Sequence, residues 1–359
     1  MSILREFYAG KRVLVTGHTG FKGGWLCAWL KRCGAEVTGL SLPPEEGRPS
    51  LFEEARIAEG MTSVIGDIRS LEPVAQVFDR AQPEIVFHLA AQALVRRSYR
   101  EPVETFASNV MGTVHVLEAA RSCPSVRSIV AVTTDKCYEN REWVWGYRET
   151  DALGGKDPYS ASKACAELVA SAYRQTMFAK DGRVRMATAR GGNVIGGGDW
   201  SEDRIVPDIV AAILAGEPIV LRNPQATRPW QHVLELVRGY LTLAHRLHQE
   251  DGMDVATAWN FGPGMRNEAN VGTLTERFIA SWGGNPIEVR HVPSALPEAN
   301  FLKLDIAQAM ARLNWHPALD FDETVRLTAE WYRAHSENPG ATSSLLDRQL
   351  ADYMERTGA

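Results

Sequence analysis

The chain has 359 residues, 45% hydrophobic and 23% charged, with a formal net charge of -5. This is the composition of a globular protein with room for two domains. It speaks against a general nucleic-acid binder, and no apolar run approaches the roughly 20 residues of a membrane span.

In chain order, residues 11–16 (KRVLVT) read as a strand and 21–33 as a helix. Residues 36–40 and 62–65 are the next strands, with a helix near 71–81. A fourth strand at 84–89 (EIVFHL) precedes a long helix at 103–121. A fifth at 128–132 (SIVAV) is followed by a second long helix at 159–178. Residues 183–189 (RVRMATA) are the sixth strand. Continuous apolar strands separated by helices indicate a parallel sheet covered on both faces. The expected fold is α/β, a Rossmann-like doubly wound parallel sheet with a smaller C-terminal substrate-binding lobe. The glycine-dense run 191–198 (GGNVIGGG) reads as irregular, and the pattern is weakest over 337–359. The expected division is 1–192 plus 232–262 for a dinucleotide-binding domain and 193–231 plus 263–359 for the lobe. Within it, 232–261 returns one helix and one strand to the sheet.

Ligands of such sheets bind at the carboxyl ends of the strands. After the first strand comes Gly17-His-Thr19-Gly20-Phe21-Lys22-Gly23. Two glycines allow a tight turn and close approach of a pyrophosphate, and the third lets the helix pack close to the strand. The helix N-terminus offers free N–H groups to the phosphates. Asp67 and Ile68, after the third strand, are placed to touch adenine. Leu89, Ala90 and Ala91, after the fourth, are small enough for the cofactor to lie against the sheet. The second strand runs into Leu40-Ser41-Leu42-Pro43-Pro44, without the acid that would hold the adenosine ribose, so NAD and NADP are not separated.

The fifth strand ends in Thr133-Thr134-Asp135-Lys136, and Tyr159 and Lys163 open the following long helix. Tyrosine and lysine at i and i+4 share one helix face. A nearby ammonium favours the phenolate and lowers the tyrosine pKa, which suits it to take a hydroxyl proton while hydride leaves for nicotinamide. His245 and His248 share a helix face, but no third ligand at zinc-like spacing accompanies them, so no metal is expected. His18 and His88 are expected to pack or hydrogen-bond near the cofactor.

The fold order, G-x-x-G-x-x-G, Asp67, residues 89–92, Thr134 and the Tyr159/Lys163 pair together resemble the extended short-chain dehydrogenase/reductase family. The resemblance extends to 190–196 (RGGNVIG), 228–233 (RPWQHV) and Leu304-Asp305. Thr134-Asp135 is similar to the sugar-nucleotide 4,6-dehydratases, most of which continue with glutamate. Lys136 and the His18/Lys22 variant of the glycine loop look like the branch that takes CDP-glucose. The resemblance implies NAD as cofactor and a three-part reaction. Tyr159 takes the O4 proton as C4 is oxidised, water is lost across C5–C6, and hydride returns to C6. It implies that Thr134 bonds near O4 and that Asp135 protonates the departing 6-hydroxyl. Where T-D-E enzymes have a base, Lys136 is either a desolvated base or a charged group that positions water and stabilises the enolate. Asn193, Arg204 and Arg228, and with them Arg96, are the expected ligands of the nucleotide diphosphate. Residues 139–156, with Trp143 and Trp145, either cover the sugar or are a surface excursion. The two long helices are expected to pair with a second copy of the chain, giving a homodimer or a dimer of dimers.

Two other readings remain at this stage. One is a 4-epimerase or decarboxylase on the same fold, which needs no acid such as Asp135. The other is a dinucleotide-binding regulator without catalysis, which needs no Tyr159/Lys163 pair. Five scattered cysteines (Cys27, Cys33, Cys123, Cys137, Cys165) form no C-x-x-C pair, and residues 1–17 lack a signal-peptide pattern. A cytoplasmic location is therefore expected.

Overall fold

The structure is a computed structural model that describes residues 2–264, 268–284, 286–292 and 301–359. Parts of the expected lobe segment 263–359 therefore lie outside the described residues. Strands β1 (Arg12–Thr16), β2 (Glu36–Ser41), β3 (Thr62–Ile65), β4 (Ile85–His88), β5 (Ser128–Val132), β6 (Arg185–Arg190) and β7 (Ala258–Asn260) form one sheet. Their order is β7-β6-β5-β4-β1-β2-β3, and every neighbouring pair is parallel. The order reverses between β1 and β4, which opens a crevice at their carboxyl ends.

Side chains alternate between the two faces of a strand. Val13, Val15, Ile85, Phe87, Val130 and Val132 enter one core, with Trp25 and Trp29 of helix Phe21–Arg32 and Leu234 and Leu241 of helix Val233–His248. Leu14, Val86, Ile129 and Met186 enter the other, with Val74 and Phe78 of helix Leu71–Ala81, Leu117 of helix Gly112–Ser122 and Ala170 of helix Pro158–Ala172. Both faces are covered, which is why the strands carry apolar runs rather than strict alternation.

The two long helices each contain a π turn. Pro102–Phe106 passes through Ala107–Met111 into Gly112–Ser122, and Pro158–Ala172 passes into Tyr173–Phe178. The glycine-dense run is not wholly irregular, contrary to the sequence expectation. Val194–Ile195 pairs in parallel with Gln231–His232, because two β-branched residues between the glycines find a partner strand. Further short pairs join Thr227–Pro229 to Glu268–Asn270 and Ile219–Leu221 to Val289–His291.

Helix Thr342–Thr357 falls in the stretch of weakest pattern, yet Leu345, Leu346, Leu350, Tyr353 and Met354 make a buried stripe. Tyr353 meets Trp29 edge-on at 5.8 Å, so the helix packs behind the one that carries the glycine loop. His245 and His248 both lie against the ring of Phe7, at 4.7 and 5.3 Å. All five cysteines are unpaired. Among the described residues, no helix is long and apolar enough to cross a membrane.

Candidate active site

A cleft of about 940 Å³ opens at the carboxyl edge of the sheet. All the candidate site residues border it except Lys163, which is buried.

One half of the cleft has the form of a dinucleotide seat. Gly17 has φ +80°, and a Cβ there would stand 2.7 Å from the Ala90 nitrogen. A Cβ on Gly23 would stand 2.0 Å from the Gly17 carbonyl oxygen, whereas Gly20 meets nothing closer than 3.4 Å. The turn is therefore filled with backbone on its inner side and open toward the cleft. Gly20 caps helix Phe21–Arg32 with no side-chain hydrogen bond, leaving the first N–H groups for an anion. At the end of β2, Thr19 Oγ1 and Ser41 Oγ lie 2.8 Å apart, and Thr19 donates to the Leu42 carbonyl at 2.9 Å. Hydroxyls thus stand where an acid was sought. Asp67 borders the cleft, but its carboxylate accepts from Arg69 N at 2.9 Å and Arg69 Nε at 2.8 Å. His18 and His88 are buried and hydrogen-bonded, to Ser63 at 2.7 Å and to Thr16 at 2.7 Å.

The other half holds the groups for chemistry. Asp157 caps helix Pro158–Ala172 by accepting from Ser160 N at 2.9 Å, and Pro158 fills its first position, which fixes Tyr159 at the cleft wall. Across from it, β5 runs into a 3-10 turn at Asp135–Cys137. Asp135 is fully buried, and a Cβ on Gly192 would stand 2.2 Å from its carboxylate. Two donors converge on that carboxylate, Thr134 Oγ1 at 2.9 Å and Asn193 Nδ2 at 3.0 Å, and the Lys136 ammonium forms a looser ion pair with it at 3.8 Å. The Lys136 side chain is 35% exposed. Asn193 thus borders the cleft and donates one amide hydrogen to the acid, from a backbone at φ +52°.

Burial dominates the titration of this wall. It lowers Lys163 to about 8, although the Glu167 charge opposes it. It lowers Lys22 to about 8, helped by the charges of Arg204 and Lys163. It raises Tyr159 to about 12, and Thr134 hydrogen bonding and the Arg204 charge only partly offset this. The expected lowering of the tyrosine is therefore not found in this structure. Lys163 donates to the Val132 carbonyl at 3.3 Å, and desolvation of the phenolate outweighs the Thr134 hydrogen bond and the Arg204 charge.

The cations expected to bind phosphate differ in setting. Arg204 stands at the head of helix Ile205–Ala215. Arg228 donates to the Thr227 carbonyl at 3.0 Å. Arg96 lies 3.5 Å from Asp203, which also holds Arg222 at 2.9 Å. The stretch 139–156 folds onto the cleft rim: Tyr147 is buried and stacked on Tyr138 at 5.2 Å, while Trp145 is exposed.

Three residues that shape the site were not singled out by sequence reasoning. Gly192 makes room for Asp135. Asn109 lies in the first π turn, accepts from Gln92 N at 2.8 Å and donates to Ser162 Oγ at 2.8 Å. Glu167 lies one turn beyond Lys163 and accepts from Thr133 Oγ1 at 2.5 Å. The Y-x-x-x-K-x-x-x-E spacing was the available signal for Glu167.

The family model for GDP-mannose 4,6-dehydratase matches residues 14–328. A CDP-glucose 4,6-dehydratase of Salmonella typhimurium is 45% identical, covering 98% of this chain and 99% of the relative. A solved dTDP-glucose 4,6-dehydratase of Streptomyces venezuelae, with NAD bound, superposes with TM-score 0.78 at 26% identity, covering 93% of this chain and 99% of that one. A UDP-glucose 4-epimerase of Thermus thermophilus, in complex with NAD, superposes with TM-score 0.75 at 28% identity, covering 90% and 99%.

On the role expected of Tyr159, proton transfer would draw on the Lys163 ammonium. Because the Lys163 pKa is lowered to about 8, its charge is present below that pH and lost above it. The rate is expected to fall as pH rises through about 8. Lys163→Arg, which keeps its charge, should leave a slower enzyme whose alkaline limb has moved upward; a pH–rate profile of both proteins checks this.

Proposed function

The chain belongs to the GDP-mannose 4,6-dehydratase family, and from that premise we propose that it converts CDP-glucose to CDP-4-dehydro-6-deoxy-glucose, with NAD as cofactor. The observation that carries this reading is the meeting of Asp135 and Tyr159 on one cleft. A 4-epimerase has no departing hydroxyl to protonate, and a non-catalytic binder needs neither group. The 45% identity to a CDP-glucose enzyme supports the choice of base, and the NAD-bound relatives support the cofactor.

NAD held at the Gly17–Gly23 turn and the start of helix Phe21–Arg32 would supply a hydride acceptor for C4 and the hydride returned to C6, so the cycle would have no net oxidation. The chain does the rest. Tyr159 accepts the O4 proton, and Thr134 holds O4. The ketone at C4 acidifies the proton on C5. Asp135 delivers a proton to the 6-hydroxyl, which leaves as water. Asn193 and Thr134 hold its carboxylate in place. Lys136 is proposed to remain charged, to hold the water that takes the C5 proton and gives a proton back to C5 once hydride has reached C6, and to stabilise the enolate oxygen. Its solvent-reached side chain and its nearness to Asp135 support this over a desolvated base. Arg204, Arg228 and Arg96 are proposed to meet the diphosphate, for which the guanidinium fork is suited.

The domain division expected from the sequence is kept as a proposal, supported by a cleft that draws residues from both parts. A cytoplasmic location is proposed, supported by five unpaired cysteines. A homodimer is proposed through the paired long helices, on which Val103, Phe106, Met111, Leu168 and Met177 are exposed.

With CDP-glucose carrying deuterium at C4, the product should hold the label at C6. Label retained at C4 would indicate an epimerase, and unchanged substrate a binding protein. Repeating the assay with UDP-, GDP- and dTDP-glucose tests the choice of base. Lys136→Met should slow exchange of the C5 proton with solvent by roughly a hundredfold, and Lys136→Glu should not restore it. Restored exchange would instead make residue 136 a proton acceptor. Val103→Glu should shift the protein toward monomer in sedimentation velocity; an unchanged coefficient would remove these helices from the interface.

A further inference from the structure

Behind the cleft lies a buried ion pair that the steps above do not use. Glu167 and Arg190 meet at 2.7 Å, with side chains 3% and 4% exposed. Glu167 stands on the helix of Tyr159 and Lys163; Arg190 ends β6. Buried pairs of this kind are costly to desolvate and are often replaceable by apolar side chains without loss of stability. Their remaining hydrogen bonds point to a different use. Glu167 accepts from Thr133 Oγ1 at 2.5 Å, immediately before Thr134, and from Thr188 Oγ1 at 2.8 Å. Arg190 Nη1 donates to the Tyr138 hydroxyl at 2.7 Å, immediately after the Asp135–Cys137 turn, and to the Glu149 carbonyl at 3.0 Å. Tyr138 in turn donates to Asn260 Oδ1 of β7 at 2.7 Å. The turn that carries Asp135 and Lys136 is therefore clamped at both ends by one ion pair.

We propose that Glu167 and Arg190 are positioning residues for the dehydration. Through Thr133 and Tyr138 they hold Thr134, Asp135 and Lys136 in register with Tyr159 and Lys163. The groups serving C4 and those serving C5 and C6 then act on a single bound sugar. A consequence for Lys163 follows, since the Glu167 charge helps retain its proton. This proposal rests on the dehydratase reading.

The test uses the full chain in four forms: wild type, Thr133→Val, Glu167→Gln and the double variant Glu167→Gln/Arg190→Met. Thr133→Val removes one end of the clamp while leaving the charges. It should melt like wild type, lose roughly tenfold in kcat and keep KM for CDP-glucose within about twofold. Glu167→Gln should move the Lys163 titration to lower pH, read without substrate by side-chain NMR of isotope-labelled lysine, and move the alkaline limb of the rate profile with it. Where that single variant folds poorly because Arg190 is left unpaired, the double variant replaces it. The double variant should recover the melting temperature but neither the rate nor the Lys163 titration. Recovery of rate and titration together with stability would make the pair a folding element and overturn the proposal. So would a Thr133→Val enzyme with wild-type kcat. The dehydratase reading itself stands or falls on the wild-type protein in the labelled-sugar assay, whereas this proposal is judged on differences between forms.

Discussion

The site depends on a steric constraint at the carboxyl edge of a parallel sheet. Neighbouring strand ends and the helices that leave them must share a space in which some positions have no volume for a Cβ. Gly17 is pressed against Ala90, Gly23 against Gly17, and Gly192 against the Asp135 carboxylate. The first two contacts bring helix Phe21–Arg32 close enough to turn its uncapped N–H groups toward the cleft. The third lets β6 and the segment after β5 approach until Asp135 is covered. A side chain at any of these positions would separate elements whose closeness is the binding site.

The same closeness removes water, and this sets the electrostatics. Lys22, Asp135, Lys163, Glu167 and Arg190 are brought within one region of the fold, with both signs interleaved. Desolvation pushes both lysines toward neutrality and the tyrosine away from ionisation, while partners hold charge where it is needed. The arrangement is a balance rather than a single dominant pair. Asp135 illustrates it: the carboxylate is fully buried, yet a hydroxyl, an amide and an ammonium surround it.

Much of this was legible in sequence because it is local. The glycine spacing after β1, the Tyr159/Lys163 pair opening a long helix, and the Thr134-Asp135-Lys136 run at a strand end each carry their meaning within a few residues. The succession of strands and helices in the first half followed from apolar runs alternating with helical periodicity. What was not legible is long-range. Asn193 and Asp135 are 58 residues apart, and Glu167 and Thr133 are 34 apart. Nothing local says that Asn193 reaches the Asp135 carboxylate. The π turn that swings Asn109 inward has no signature in the pattern of residues 103–121. The tyrosine titration was read from its lysine neighbour alone, without the burial that only the assembled wall imposes. The terminal helix was hard to see because its apolar stripe is diluted by charged residues on the open side.

That terminal helix also bears on how the protein is made. Helix Thr342–Thr357 covers Trp29 on the back of the glycine-loop helix, and Trp29 is fully buried once it is in place. During translation the amino-terminal strands and helices leave the ribosome long before this cover does. For that interval the Trp29 indole has no partner from the far end of the chain. The nascent nucleotide-binding half is thus an unfinished surface, and its completion is timed by synthesis of residues 342–357 rather than by its own sequence.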